Sequence, residues 1–383
     1  MKSKKVLALG AATAVALVGA FAAAPAYADP ITDGYSIVGS DTLQDAVGAL
    51  ANGTTITGSS VKLKGAGKSL GSWDAFTLGV SGGVGKIQAK AYGPVFDRPN
   101  GSGAGRTSLL RSIGYSGSTV YNGVDVAGQV DFARTSSKGT SVSGGVLTYV
   151  PFGQDAISFI SEVGADSDGD GDAAAAAAWV ASLTKAELTS IYQSTSAAPV
   201  AVPGTDYVVK PLGLQSSSGT WTTFLTKIGV TTIGTGVDTR SNSIPENDGA
   251  QLTAGANEIQ IVPVSAANYV GQVNGAARIN TMAGVTLGSI DGVAPATGSA
   301  PNLVPNPTFY NSADWGRTVF IVVPTAKITP GASFDQGTSD LVNTNSTVSL
   351  TYWGTSNAPG TSKAVKLKFG FAQPVDAAFT ANN

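Results

Sequence analysis

Histidine and cysteine are both missing from this 383-residue chain, and only 13% of its residues are charged. The lack of cysteine excludes disulfides, thiol nucleophiles, thiolate metal sites and a lipid-modified N-terminal cysteine. The lack of histidine removes the usual general base and metal ligand, which argues against a Ser-His-Asp hydrolase or a His-ligated metalloenzyme and leaves carboxylate- or lysine-based catalysis open. Positive charge is not in excess, the formal net charge being −2, so there is no basic face for a phosphate backbone and no nucleic-acid partner is expected. Beyond Asp29 no segment is apolar for long enough to span a bilayer, and no repeat of roughly 20 to 50 residues indicates a solenoid.

What is present begins with a leader. Lys2, Lys4 and Lys5 precede an apolar run from Val6 to Ala22, and Ala26-Tyr27-Ala28 makes a small-x-small cleavage signal ahead of Asp29. Residues 1–28 are therefore expected to be a secretory signal peptide. Its removal takes three lysines and no acid, lowering the formal charge to −5. About 355 residues remain, more than one core usually organises, so two lobes are expected.

The most informative stretch is Gln215–Ile228, QSSSGTWTTFLTKI, where Ser217, Ser218, Gly219 and Thr220 stand just before an amphipathic helical pattern. A helix start has backbone N–H groups without intrahelical partners and the positive end of the macrodipole, so an oxyanion is stabilised there without a cationic side chain. Gly219 lets the backbone approach, and the hydroxyls add rotatable donors. The same design recurs in GSDTLQDAVGAL (Gly39–Leu50) and GSGAGRTSLLRSI (Gly101–Ile113). Any one turn is accounted for by an ordinary Ser/Thr N-cap. Three of them, each after a short apolar run (Tyr35–Val38, Ala91–Phe96, Val208–Leu214), predict a shared site at strand ends. Arg106, beside the second turn, and Arg134, in VDFARTSS (Val130–Ser137), are the candidate cations.

Along the chain, strands are expected over Ile31–Val38, Thr54–Lys64, Ala75–Val80 and Val84–Phe96, with helices from Leu43 to Ala51 and from the second turn to Ile113. GAGKS (Gly65–Ser69) looks like part of a phosphate loop but has Lys62 where that motif needs glycine, so no nucleotide site is expected. Val146–Val150 and Ala156–Ser161 are apolar on both faces, as parallel sheets require. DSDGDGD (Asp166–Asp172) has the alternate acids of a calcium loop, yet Ala177 stands where the bidentate acid belongs. A solvated loop capping the next helix is favoured over a partial calcium site. Ala173–Leu183 is expected to be helical, Thr184 and Glu187 to form a capping box, and Ile244–Ala254 to be an acidic loop and helix. Ile259–Val264, Val319–Val323, Thr347–Tyr352 and Val365–Phe371 are expected as strands or extended segments.

In that order GSDTLQD (Gly39–Asp45), GSGAGR (Gly101–Arg106), VDFARTSS, LTKAELTSIY (Leu183–Tyr192), SSSGTWTTF (Ser216–Phe224) and RTVFIVVP (Arg317–Pro324) resemble the type 2 periplasmic binding proteins, and among them the phosphate-binding proteins of phosphate ABC importers. The resemblance implies an α/β fold whose two lobes are joined by two crossovers and hinge shut on an anion in the cleft between them. Residues 29–148 and 318–383 would form lobe one and residues 149–317 lobe two. It further implies that Ser40, Asp41 and Thr42 offer backbone and hydroxyl donors, Ser102 a hydroxyl, and Ser218, Gly219 and Thr220 the third set. Two positions depart from the family pattern. The aspartate that accepts the proton of a protonated phosphate falls on Ser136, and the arginine before the SGT turn falls near Leu214. Arg106 or Arg134 would then supply the cation from another direction, and loss of the carboxylate weakens discrimination between phosphate and sulfate.

The function expected is that of a secreted, monomeric solute-binding protein that captures a small oxyanion, phosphate first, for an ABC permease, with no cofactor, no resident metal and no catalysis. Two competitors stand beside it: an extracellular phosphate-ester hydrolase with Ser40 or Ser218 as nucleophile, and a surface binding module whose ligand is not an oxyanion.

Overall fold

A computed structural model describes residues 30–76 and 85–383. The leader and most of the strand expected over Ala75–Val80 lie outside the described residues. In chain order, the elements that position the site are β1 (Tyr35–Gly39), α1 (Gln44–Asn52), β2 (Lys68–Ser72), α2 (Gly101–Ser112), β3 (Phe132–Thr135), β4 (Leu147–Val163), α3 (Ala173–Val180), α4 (Lys185–Gln193), β5 (Val208–Pro211), α5 (Gly219–Lys227), β6 (Glu258–Ser265), α6 (Ala266–Val273), β7 (Gly316–Pro324), α7 (Ser362–Lys368) and β8 (Phe379–Ala381).

The α/β fold is built on one mixed sheet in which β5, β6, β4, β7, β3, β1 and β2 are successive neighbours. β1 runs parallel to β2 and β3, and β5 parallel to β6. β7 is antiparallel to both β3 and β4, and β6 is antiparallel to β4. The 17-residue β4 holds the sheet together. Its Leu147–Ala156 portion pairs with β7, and its Ile157–Val163 portion pairs with β6, so one strand serves two halves of the molecule.

Alternation explains how the first half is covered. On β7, Val319, Ile321 and Val323 face one core with Ile37 and Phe132, while Phe320 and Val322 face another with Val38 and Ala133. Both faces are therefore dry, which is why the sequence is apolar throughout. The second half has a separate core around Phe159, Tyr192, Trp221, Phe224 and Ile261.

Several expectations change. Val146–Val150 and Ala156–Ser161 are one strand, and its neighbours run antiparallel to it, because apolarity on both faces records coverage and not strand direction. Pro151 sits at a register shift where β7 steps from Val319 to Phe320, leaving Phe152 unopposed. The freed Phe152 carbonyl accepts from Lys366 Nζ at 2.9 Å and Trp353 Nε1 at 2.6 Å. Thr54–Lys64 reduces to a bridge between Thr54 and Val61 and the first residue of a short strand at Lys64–Gly65, and Val84–Phe96 to a hairpin of Lys86–Gln88 with Val95–Asp97. GAGKS forms an antiparallel turn in which Lys64 faces Ser69. Within Ile244–Ala254 only Gly249–Gln251 is helical, as a 3-10 turn. Val365–Phe371 is not a strand: Thr361 accepts from Ala364 N–H at 3.2 Å and starts α7. The capping box is present, with Thr184 Oγ1 accepting from Glu187 N–H at 3.2 Å and Glu187 Oε2 accepting from Thr184 N–H at 2.7 Å.

Candidate anion site

All three Ser/Gly/Thr turns meet. The first follows β1, where Gly39 takes φ +110° and a Cβ would lie 2.6 Å from the Arg134 carbonyl. Only glycine lets the chain turn there. Ser40 then caps the short 3-10 helix Asp41–Leu43, its Oγ accepting from Thr42 N–H at 3.3 Å. The second turn opens α2, placing Ser102 Oγ 2.9 Å from the Ser136 N–H it accepts and 3.1 Å from Ser136 Oγ. Ser40 Oγ donates to the same Ser136 Oγ at 3.1 Å. The third belongs to the other half: Ser218 caps α5, accepting from Trp221 N–H at 2.8 Å. Thr220 Oγ1 lies 3.4 Å from Thr42 Oγ1, and a Cβ on Gly219 would stand 2.5 Å from Ser102 Oγ and Ser136 Oγ alike. Ser40, Asp41, Thr42, Ser102, Ser136, Ser218 and Thr220 are all buried.

At the centre of this cluster sits a carboxylate that sequence reasoning missed. Glu246, only 4% exposed, accepts from Thr42 Oγ1 at 2.9 Å, Thr220 Oγ1 at 2.9 Å, Thr220 N–H at 3.3 Å and Ser218 Oγ. Its own N–H donates to Asp41 Oδ2 at 3.1 Å, and the other Asp41 oxygen is buried without a partner. Burial, and then the Glu246 charge, push the Asp41 carboxyl well above its ordinary range. For Glu246 burial works the other way from its hydrogen bonds; bonding to Asp41, the charge of Arg317, and the Ser218 and Thr220 donors prevail and hold it low, ionised.

The cation is also one that was not anticipated. Arg317, at the start of β7, pairs across the ladder with Asp155 on β4. Its Nε and Nη2 donate to Asp155 Oδ2 at 3.0 and 2.8 Å. Nη2 also reaches Thr220 Oγ1 at 2.8 Å, and Nη1 reaches the Ser136 carbonyl at 3.3 Å. The two arginines expected at the site do other work. Arg134 is fully buried behind the first turn, its five N–H groups directed at the carbonyls of Ile37, Gly39, Ser40 and Trp73 and at Ser72 Oγ. Desolvation lowers its pKa to about 10. Arg106 donates to Thr135 Oγ1 and Ser137 Oγ, both at 2.9 Å. Ser136 and Leu214, at the two departures from the family pattern, are both buried. Glu246 and Arg317 bring a carboxylate and a cation to the cluster from elsewhere in the chain.

The acidic loop forms a separate, largely exposed feature. Asp166 accepts from the N–H groups of Gly169 and Gly171, both at 2.8 Å, and carboxylate oxygens of Asp166, Asp170 and Asp172 lie within 4.8 Å of one another.

No protein-family model matches the chain, and no curated protein matches it by sequence. Solved structures do resemble it. An ABC-type phosphate transport receptor from Vibrio cholerae is 13% identical, with a TM-score of 0.46 over 89% of this chain and 100% of that one. A structure from Clostridium perfringens, described as a phosphate ABC transporter substrate-binding protein with bound phosphate, is also 13% identical, with a TM-score of 0.43 over 80% of this chain and 91% of the other. Among the described residues, no helix is long and apolar enough to cross a membrane.

Proposed function

We propose that this chain is a secreted solute-binding protein that captures a small oxyanion between its two halves and hands it to an ABC permease. The observation that carries the reading is Glu246: hydroxyls and an N–H from two turns in different halves already hold a buried, ionised carboxylate. Donors preorganised around one oxyanion are suited to another, and in a water-excluded site each such bond is strengthened. Phosphate is the first candidate, because the ordered GSDTLQD, GSGAGR and SSSGTWTTF segments are those of the phosphate-binding resemblance. The two crossovers between the halves, within β4 after Ala156 and just before β7 at Gly316, are the hinge in this reading.

Isothermal calorimetry of the mature protein with phosphate, arsenate, sulfate and a neutral sugar tests it. Heat with an oxyanion and none with the sugar is expected; silence with every oxyanion, in wild type and in Glu246→Ala alike, would sink the proposal. The hydrolase reading has one observation in its favour, the hydrogen bond from Ser218 Oγ to Glu246, which pairs a hydroxyl with a base. Ser218 also caps α5, a role that needs no chemistry. Release of phosphate from a chromogenic ester, abolished in Ser218→Ala, would favour the enzyme.

A further inference from the structure

The Thr42, Ser218 and Thr220 donors, which would hold an external oxyanion, are engaged by the chain's own Glu246. The carboxylate takes the Thr42 and Thr220 hydroxyls, the Thr220 N–H and the Ser218 hydroxyl, while the nearby positive charge of Arg317 is matched by Asp155. A second anion on the same donors would meet a like charge with no water to screen it. The loop that carries Glu246 runs from the end of α5 to β6 and has only 3-10 turns as regular structure. It is also held away from relaxed backbone geometry: Arg240, Ser241, Asn242 and Asn247 all take positive φ, at 42°, 56°, 67° and 59°.

We propose that Glu246 is a built-in competitor: its carboxylate occupies the anion position in the free protein and must withdraw, with its loop, before an external oxyanion binds. The inference rests on the oxyanion reading above. A site occupied by its own side chain presents an apparent affinity lowered by the fraction of molecules in which that side chain is out. Removing the carboxylate therefore tightens binding. A Glu246 that merely helped to hold the ligand, by accepting a proton from it, would have the opposite signature.

The test is calorimetry of inorganic phosphate on wild type, Glu246→Ala and Glu246→Gln, with circular dichroism to establish folding. Phosphate is expected to bind Glu246→Ala at least about 10-fold more tightly than wild type, with Glu246→Gln also tightened. A second readout uses sodium acetate, which should raise the melting temperature of Glu246→Ala and leave wild type unmoved. Equal or weaker phosphate binding by the folded variants overturns the inference while leaving the oxyanion reading in place. Absence of phosphate, arsenate and sulfate binding in wild type and both variants removes the oxyanion reading itself. Should Glu246→Ala fail to fold, Glu246→Gln carries the same comparison.

Discussion

Arg317 and Asp155 show what a single residue contributes here. Both are buried, at 8% and 0% exposure, and an ion pair in that position is costly to break because the survivor keeps an uncompensated charge. Arg317→Met should therefore lower unfolding free energy by about 3–5 kcal/mol in urea titrations, and an unchanged midpoint would contradict the pairing. Asp45 supplies a pH signature. Burial, then the charge of Asp74, raise its pKa to about 6. A carboxyl whose folded pKa lies above its unfolded value favours the fold while protonated, so stability falls as pH rises from about 4 to about 6, by up to ~3 kcal/mol. Comparing wild type with Asp45→Asn across that window checks it: the asparagine variant should lose that part of the slope. The hydroxyl residues were legible because cap chemistry is local, three or four residues wide. Glu246 and Arg317 were not. Glu246 lies in IPENDG, whose residues suggest an acidic loop leading into a helix and no ligand chemistry, and Arg317 opens an apolar run as an ordinary strand-end charge. Glu246 meets Thr42 across 204 residues and Arg317 meets Asp155 across 162, separations that no local pattern records.

Helices with a capping box are legible in the sequence, and strands less so. The Thr184–Glu187 box begins α4, as its spacing predicts, and Thr184→Ala should cost about 1 kcal/mol, read as a lowered melting temperature with an otherwise unchanged spectrum. Over Val365–Phe371 an extended segment is expected, and Val365, Phe369 and Phe371 are indeed strand-prone types. Val365 and Phe369 are also four apart, and with Thr361 as cap the helix buries that pair. Two strands are expected where β4 is one, with PFGQD between them. A bulge at Phe152 and the pairing offered by β7 and β6 carry the strand through it, an instance of tertiary pairing overriding local punctuation.

At the scale of the whole molecule the two halves touch through Gly219, where a methyl would stand 2.5 Å from two serine hydroxyls of the other half. Gly219→Ala should leave α5 at least as stable, since alanine is the better helix former, yet hold the halves apart. Phosphate affinity should fall at least about tenfold with little change in melting temperature; an unchanged affinity would mean that this approach is not part of the bound state. The α/β class was legible because alternating apolar runs and capped helices are counted locally. The antiparallel run of β4 against its neighbours was not, being a property of return paths. Those return paths also have an architectural corollary. Ala156 on β4 and Gly316 on β7 face each other across the ladder, and β1 and β8, at the two ends of the chain, belong to the same half. Everything from residue 157 to residue 315 thus leaves and re-enters through one doorway a single strand spacing wide, so a short splice from Ala156 to Gly316 would rejoin the remaining half with its own termini undisturbed, uncovering the part of its core that Ala267 closes.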